Sequence, residues 1–286
     1  MKRIGYLFGR RVQGDIELDI DPITNLPGEI IAPGHRIAGR PEQDIYVVSD
    51  VQNYLLGSRR VVDERVFRYA KAGNALNCGL GAHIGYPQDV AFAAVTVDIA
   101  AIGSYTLEVT VAATDGRLGT GEIALDELAG GFIIIFPDGM GETMNRKVVG
   151  NTAVAAPGGA MTVTVDRFLN INLTPAPHAE LIGCPWYAVM EGNYDRQMIM
   201  GMPAVPATVG QFLWLQTWGP CWVTPDGLAG VGIDNSQVMF RGNGSIAEFD
   251  GAPAPPVGQC QLAGTVMTPS SAGVQGAPFI WLQIAP

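Results

Sequence analysis

Apolar runs in this chain are short, and almost every one stops at glycine or proline. There are 37 glycines and 20 prolines, so about one residue in five either frees the backbone or fixes it. Long helices do not survive such interruption, whereas strands joined by tight turns require it. From Ser104 to Val111, Tyr105, Leu107, Val109 and Val111 alternate with Thr106, Glu108 and Thr110, and a Thr114-Asp115-Gly116 turn follows. Period two is the signature of a strand with one buried face. Phe132 to Phe136 is apolar throughout, between Gly130-Gly131 and Pro137-Asp138-Gly139, and reads as a strand covered on both faces. Met161 to Val165 and Ile171 to Leu173 continue the series. The expected fold is all-β, with a β-sandwich or barrel body.

Residues 1–75 read differently. Pro22, Pro27, Pro33 and Pro41 limit regular structure there, so an extended, irregular N-terminal arm is expected. Within it, Asp15, Glu17, Asp19 and Asp21 alternate with Ile16, Leu18 and Ile20. A straight row of carboxylates suits a solvated or arginine-paired face better than a Ca²⁺ site, which draws its oxygens from a curved loop. Ser49 followed by Val51, Tyr54 and Leu55 suggests one short helix. Residues 76–286 form the body, as one compact piece or as two packed units, 76–175 and 176–286.

Charge separates the two parts. Residues 1–71 carry 11 of the 17 basic and 10 of the 27 acidic side chains, so the first part is about neutral and the rest strongly acidic. Charged residues make up only 15% of the chain, less than a free monomer's surface usually holds, so covered surface and an oligomer are expected. Disorder is excluded by the 48% hydrophobic content. No apolar segment approaches the ~20 residues of a membrane helix, and the stretch from Ile4 to Gly9 is too short for a signal peptide. No membrane partner is expected.

Little in the sequence suggests catalysis. Cys78, Cys184, Cys221 and Cys260 form no C-x-x-C pair and read as reduced, buried thiols. Of the three histidines, His35, His83 and His178, only His83 lies near a cysteine, and Gly79-Leu80-Gly81-Ala82 offers no third group to orient that pair. Asp138 to Thr143 lacks the lysine and helix of a phosphate loop. The chain is read as a non-enzyme with no metal or cofactor. Phe212, Trp214 and Trp218 are expected on one strand face, as a candidate glycan-binding or interface face. Nucleic acid is disfavoured as its ligand because residues 205–240 contain no Lys or Arg. Phe212-Leu213-Trp214-Leu215-Gln216 recurs as Phe279-Ile280-Trp281-Leu282-Gln283, two strands of one type.

Three segments carry a resemblance. They are Val66-Phe67-Arg68-Tyr69-Ala70-Lys71-Ala72-Gly73, the stretch from Gly130 through Gly141-Glu142-Thr143 to Thr152, and Phe212 to Cys221. In texture and order they resemble structural proteins of tailed-bacteriophage virions, in particular capsid decoration (cement) proteins. The resemblance implies a β-rich body on the capsid surface, often a homotrimer, made in the bacterial host cytoplasm. Its partner would be the major capsid protein, its role to stabilise the assembled shell without catalysis. The alternative is a head-fibre or tail-associated receptor- or glycan-binding protein, and a virion-associated glycosidase is a third option. The expected docking residues are Arg59, Arg60, Arg65, Arg68 and Lys71, a local cationic patch, with Phe67 and Tyr69 as apolar anchors; the alternative is that these arginines pair with Asp15, Glu17, Asp19 and Asp21 within the same chain.

Overall fold

The computed structural model describes residues 10–13, 16–20, 27–31, 36–37, 39–85, 92–98, 100–116, 119–137, 143–173, 177–192, 198–226, 229, 236–249, 259–268 and 278–286. Among them there is no helix. In chain order the strands are β1 (Arg10–Gln13), β2 (Ile16–Ile20), β3 (Pro27–Ile31), β4 (Arg59–Val62), β5 (Arg65–Lys71), β6 (Ala82–His83), β7 (Phe92–Val97), β8 (Thr106–Val111) and β9 (Phe132–Phe136). There follow β10 (Met144–Asn151), β11 (Gly159–Val165), β12 (His178–Ile182), β13 (Ile199–Pro203), β14 (Phe212–Trp222), β15 (Gln237–Arg241), β16 (Ile246–Glu248), β17 (Gln259–Thr268) and β18 (Phe279–Gln283). The all-β expectation holds.

The chain divides into two units, one built from residues 1–85 and 188–286 and the other from 86–187. This differs from an arm followed by a body. Residues 59–71 are not irregular: β4 and β5 lie inside a sheet of order β1-β2-β3-β4-β5-β14-β18-β17-β15-β16, with β13 pairing β14 and β6. β5 runs antiparallel to β14 with Tyr69 opposite Trp214 and Phe67 opposite Gln216. The reason is compositional. Phe67, Tyr69 and Ala70 are as apolar as any strand of the body, and burying them against β14 outweighs the breaks imposed by the upstream prolines. β2 falls within the acidic alternation, but Asp15 and Asp21 lie outside the described residues, as do the side chains between them.

The expected short helix at 49–57 is absent. Ser49 exchanges backbone hydrogen bonds with Phe212, at 2.9 and 2.8 Å, while its hydroxyl donates to Val51 O and accepts from Val51 N–H. Tyr54 bridges to Arg36. A serine whose main chain joins a sheet edge cannot cap a helix, and its side chain closes a local turn instead.

The second unit is a closed antiparallel barrel, β10-β11-β8-β7-β12-β9, and closure leaves it no free sheet edge. Its core holds Leu107, Val109, Val111, Ile133, Ile135, Met161, Val163 and Val165, which are the inward members of the alternations read from the sequence. Tyr105 falls just before β8 and is 53% exposed, edge-on to Phe168. The β9 run is buried only at Ile133 and Ile135; its other face, Phe132, Ile134 and Phe136, points out of the barrel.

Candidate docking face

One side of the β4–β5–β14 sheet is a closed aromatic core. Tyr54, Tyr69 and Trp214 meet edge-to-face with ring centroids 4.9 to 5.2 Å apart, and Phe212 stacks on Tyr69. Gln43 ties this cluster together. Its Nε2 donates to Val47 O and Phe212 O, and its Oε1 accepts from Tyr69 Oη at 2.6 Å and Asn53 Nδ2 at 3.0 Å. Its carbonyl accepts from Trp214 Nε1 and from Arg60. Burial pushes the Tyr69 phenol up to about 12.

This arrangement consumes most of the predicted docking patch. Phe67 and Tyr69 are fully buried and serve as core, not as anchors for a partner. Arg60, 5% exposed, pairs with Glu42 at 3.6 Å and covers the Trp214 ring. Arg65 pairs with Asp63, donates to Tyr46 Oη and lies over Phe67, while the Lys71 ammonium lies over Phe212. All these groups share one face, because alternate residues of a strand do.

The other face keeps two cations apart from that network. Arg59 and Arg68 stand directly opposite each other on β4 and β5, both half-buried. Arg68 donates to Gly57 O at 3.2 Å, but neither arginine has a carboxylate partner among the described residues. Burial, reinforced by the charge of Arg59, pushes the Arg68 guanidinium below its usual range. Like charges facing each other across a strand pair are destabilising, and the described residues supply no carboxylate to offset this pair.

The same face continues as an aromatic surface. The β5–β14 register slips between Gln216 and Trp218, which sets Trp218 opposite Val66 rather than on the Trp214 side. The expected grouping of Phe212, Trp214 and Trp218 is therefore broken by one bulge: Phe212 and Trp214 are core, and Trp218 is outward and half-buried. Beyond the bulge, Trp218 faces Gln283, Pro220 faces Trp281, and Trp222 faces Phe279 on β18. The alternate residues Cys221, Ile280 and Leu282 point into a second core with Val238 and Phe240. Thr265 and Thr268 of β17 flank Trp281 and Phe279 in turn. This face thus holds four aromatic rings, a proline, a glutamine and two threonines, and no charge, with the Trp222 indole nitrogen buried. Gly219 has φ of +91° and any Cβ there would strike Glu64 O and Arg65 Cα, so glycine is what lets β14 pass the β4–β5 turn. Gly79, also at φ +91°, lies under the Trp222 ring, where a Cβ would collide with the indole.

Trp281 and Phe279 were not among the residues expected to form a site. The alternation of Trp218, Pro220 and Trp222, and of Phe279, Trp281 and Gln283, carries the signal. The two echo segments have opposite fates: Trp214 is fully buried and Trp281 is outward, because the second copy pairs with residues 218–222 and not with the first copy. Of the thiols, Cys184 and Cys221 are buried as expected, whereas Cys78 is exposed. Comparison of the chain with protein-family descriptions, with curated proteins and with solved structures gives no match.

Proposed function

We propose that this chain is a non-catalytic structural protein of a tailed-phage virion, one that binds the assembled capsid at its outer surface and stabilises the shell through buried area. The observation that carries the reading is the face described above, where the Arg59–Arg68 pair, without a carboxylate partner among the described residues, adjoins Trp218, with Trp222, Trp281 and Phe279 beyond it. Arginine and tryptophan are the side chains most enriched at the energetic centres of protein interfaces. Two arginines without carboxylates fit an acidic patch on the partner, here the major capsid protein, and would steer the encounter electrostatically. The docking role expected of seven residues thus narrows to Arg59 and Arg68 among the charged ones, with aromatic anchors from β14 and β18. The resemblance to decoration proteins adds the expectation of a homotrimer.

Imaging of virions bearing the labelled chain tests the reading: it expects regular occupancy of the capsid surface, and absence from purified particles would refute it. A second reading rests on the neutrality of the aromatic grid, which with Gln283, Thr265 and Thr268 also suits stacking of sugar rings. In that case the chain is a head-fibre or tail-associated glycan-binding protein. A glycan array on the wild-type chain and a Trp281→Ala variant separates the two, since only the second reading expects binding that Trp281→Ala removes.

A further inference from the structure

The outside of the barrel is sided. β8 and β11 present Thr106, Glu108, Thr110, Ala160, Thr162 and Thr164, a polar, threonine-rich surface. β9 presents Phe132, Ile134 and Phe136, and its neighbour β12 adds Ile182. Phe132 is 38% and Ile182 40% exposed. The register sets these residues in rows: Lys147, Phe132, Ile182 in one, and Asn145, Ile134, Glu180 in the next, followed by Phe136 with His178 stacked on it at 4.9 Å. A strand apolar on both faces belongs in an environment covered on both sides, and the barrel interior supplies only one.

We propose that this face packs against the same face of a second copy of the chain, about a twofold axis running parallel to β9. The borders of the stripe select that occupant. Lys147 lies on the β10 side and Glu180 on the β12 side; both are exposed, and neither has an ion-pair partner among the described residues of its own chain. Rotation about an axis parallel to β9 exchanges left and right of the stripe without exchanging its ends. It therefore brings Lys147 of one copy over the β12 side of the other, one row from Glu180, and does so twice by symmetry. A twofold axis across β9 would instead keep Lys147 over the β10 side and Glu180 over the β12 side of the partner, so that the two never approach. Facing sheets about 10 Å apart and nearly aligned are the ordinary geometry for such packing. Few side chains take part, so the contact is smaller than the ~800 Å² per partner of a standard interface and the association is weak in solution. It would join two chains whether or not each also belongs to a trimer, and it is independent of the capsid-docking face.

Sedimentation equilibrium of the full-length chain tests this. Wild type is expected to associate reversibly near about 100 μM. Ile134→Glu should abolish that step, and Lys147→Glu or Glu180→Lys should each weaken it about tenfold. Joining the two charge changes in one chain should restore it to within about threefold of wild type, a result that mere damage to the fold would not give. The charge variants sit on exposed positions, so they report even if Ile134→Glu fails to fold. Association unaffected by the single charge changes, a double variant no better than either single, or a wild-type monomer at about 1 mM would each overturn the proposal.

Discussion

Arg59 and Arg68 face each other across β4 and β5 with no carboxylate partner among the described residues, on the side of the sheet opposite the Tyr69–Trp214 core. Every other cation of the predicted patch is engaged within its own chain. Arg60 and Arg65 pair with Glu42 and Asp63, and Lys71 lies over Phe212. A pair that costs stability in the isolated chain is the kind of feature retained for a partner.

Removing one of these charges should therefore stabilise the free chain while weakening its docking. The Arg59 side chain makes no hydrogen bond among the described residues, so Arg59→Gln is expected to gain about 0.5 kcal/mol in urea unfolding by relief of repulsion. A loss of stability on this substitution would mean that the pair is satisfied within the chain.

Gln43 should be the most costly polar residue to truncate. Gln43→Ala leaves the buried Tyr69 hydroxyl without its acceptor, while Phe212 O keeps only the Ser49 N–H, for a loss of about 2 kcal/mol. Equilibrium unfolding measures this directly, and a loss below about 1 kcal/mol would show that the network is replaceable by water.

Alkali should unfold the first unit over a defined range. Burial raises Tyr69 from 10.0 to about 12 and Cys221 from 9.0 to about 12. Both fold best as neutral acids. Their contribution is fully present below pH 10 and pH 9 respectively, and falls as pH rises toward 12, because the unfolded chain releases those protons first. Unfolding free energy followed from pH 8 upward, together with tyrosinate absorbance, should show ionisation of Tyr69 only as structure is lost. Its titration near 10 in the folded chain would contradict the burial described.

Thiol labelling gives a sharper contrast. Cys78 is exposed and should react with a soluble disulfide reagent in the native chain, although burial of its surroundings raises its pKa and slows the reaction. Cys184, pushed up to about 11, and Cys221 should react only on unfolding. Equal labelling of all three under native conditions would be inconsistent with the two cores.

Much of the architecture was legible in the sequence because it is written in local alternation. Leu107, Val109 and Val111 point inward in β8 as their spacing dictates, and the turns fall at glycine and proline. What local pattern does not encode is pairing. Nothing near Phe67 or Tyr69 says that β5 will lie beside β14, 140 residues downstream, so these side chains read as part of an arm when they are the centre of a sheet. Trp218 went to the wrong face for a similar reason: a single bulge after Gln216 inverts the residues that follow, and the alternation of Trp214, Gln216 and Trp218 does not announce it. Ser49 looked like a helix cap because its partner, Phe212, is remote in sequence.

The proposed contact between the Arg59–Arg68 face and an acidic capsid surface is put to the test by co-sedimentation with tailed-phage particles. The full-length chain, the Arg59→Glu/Arg68→Glu double variant and an Arg167→Glu control should be bound to particles lacking the protein, at low and at moderate salt. Wild type and control should saturate the particle, the double variant should bind at least about tenfold more weakly, and the gap should narrow as salt rises. Equal occupancy by the double variant and wild type at low salt would contradict it.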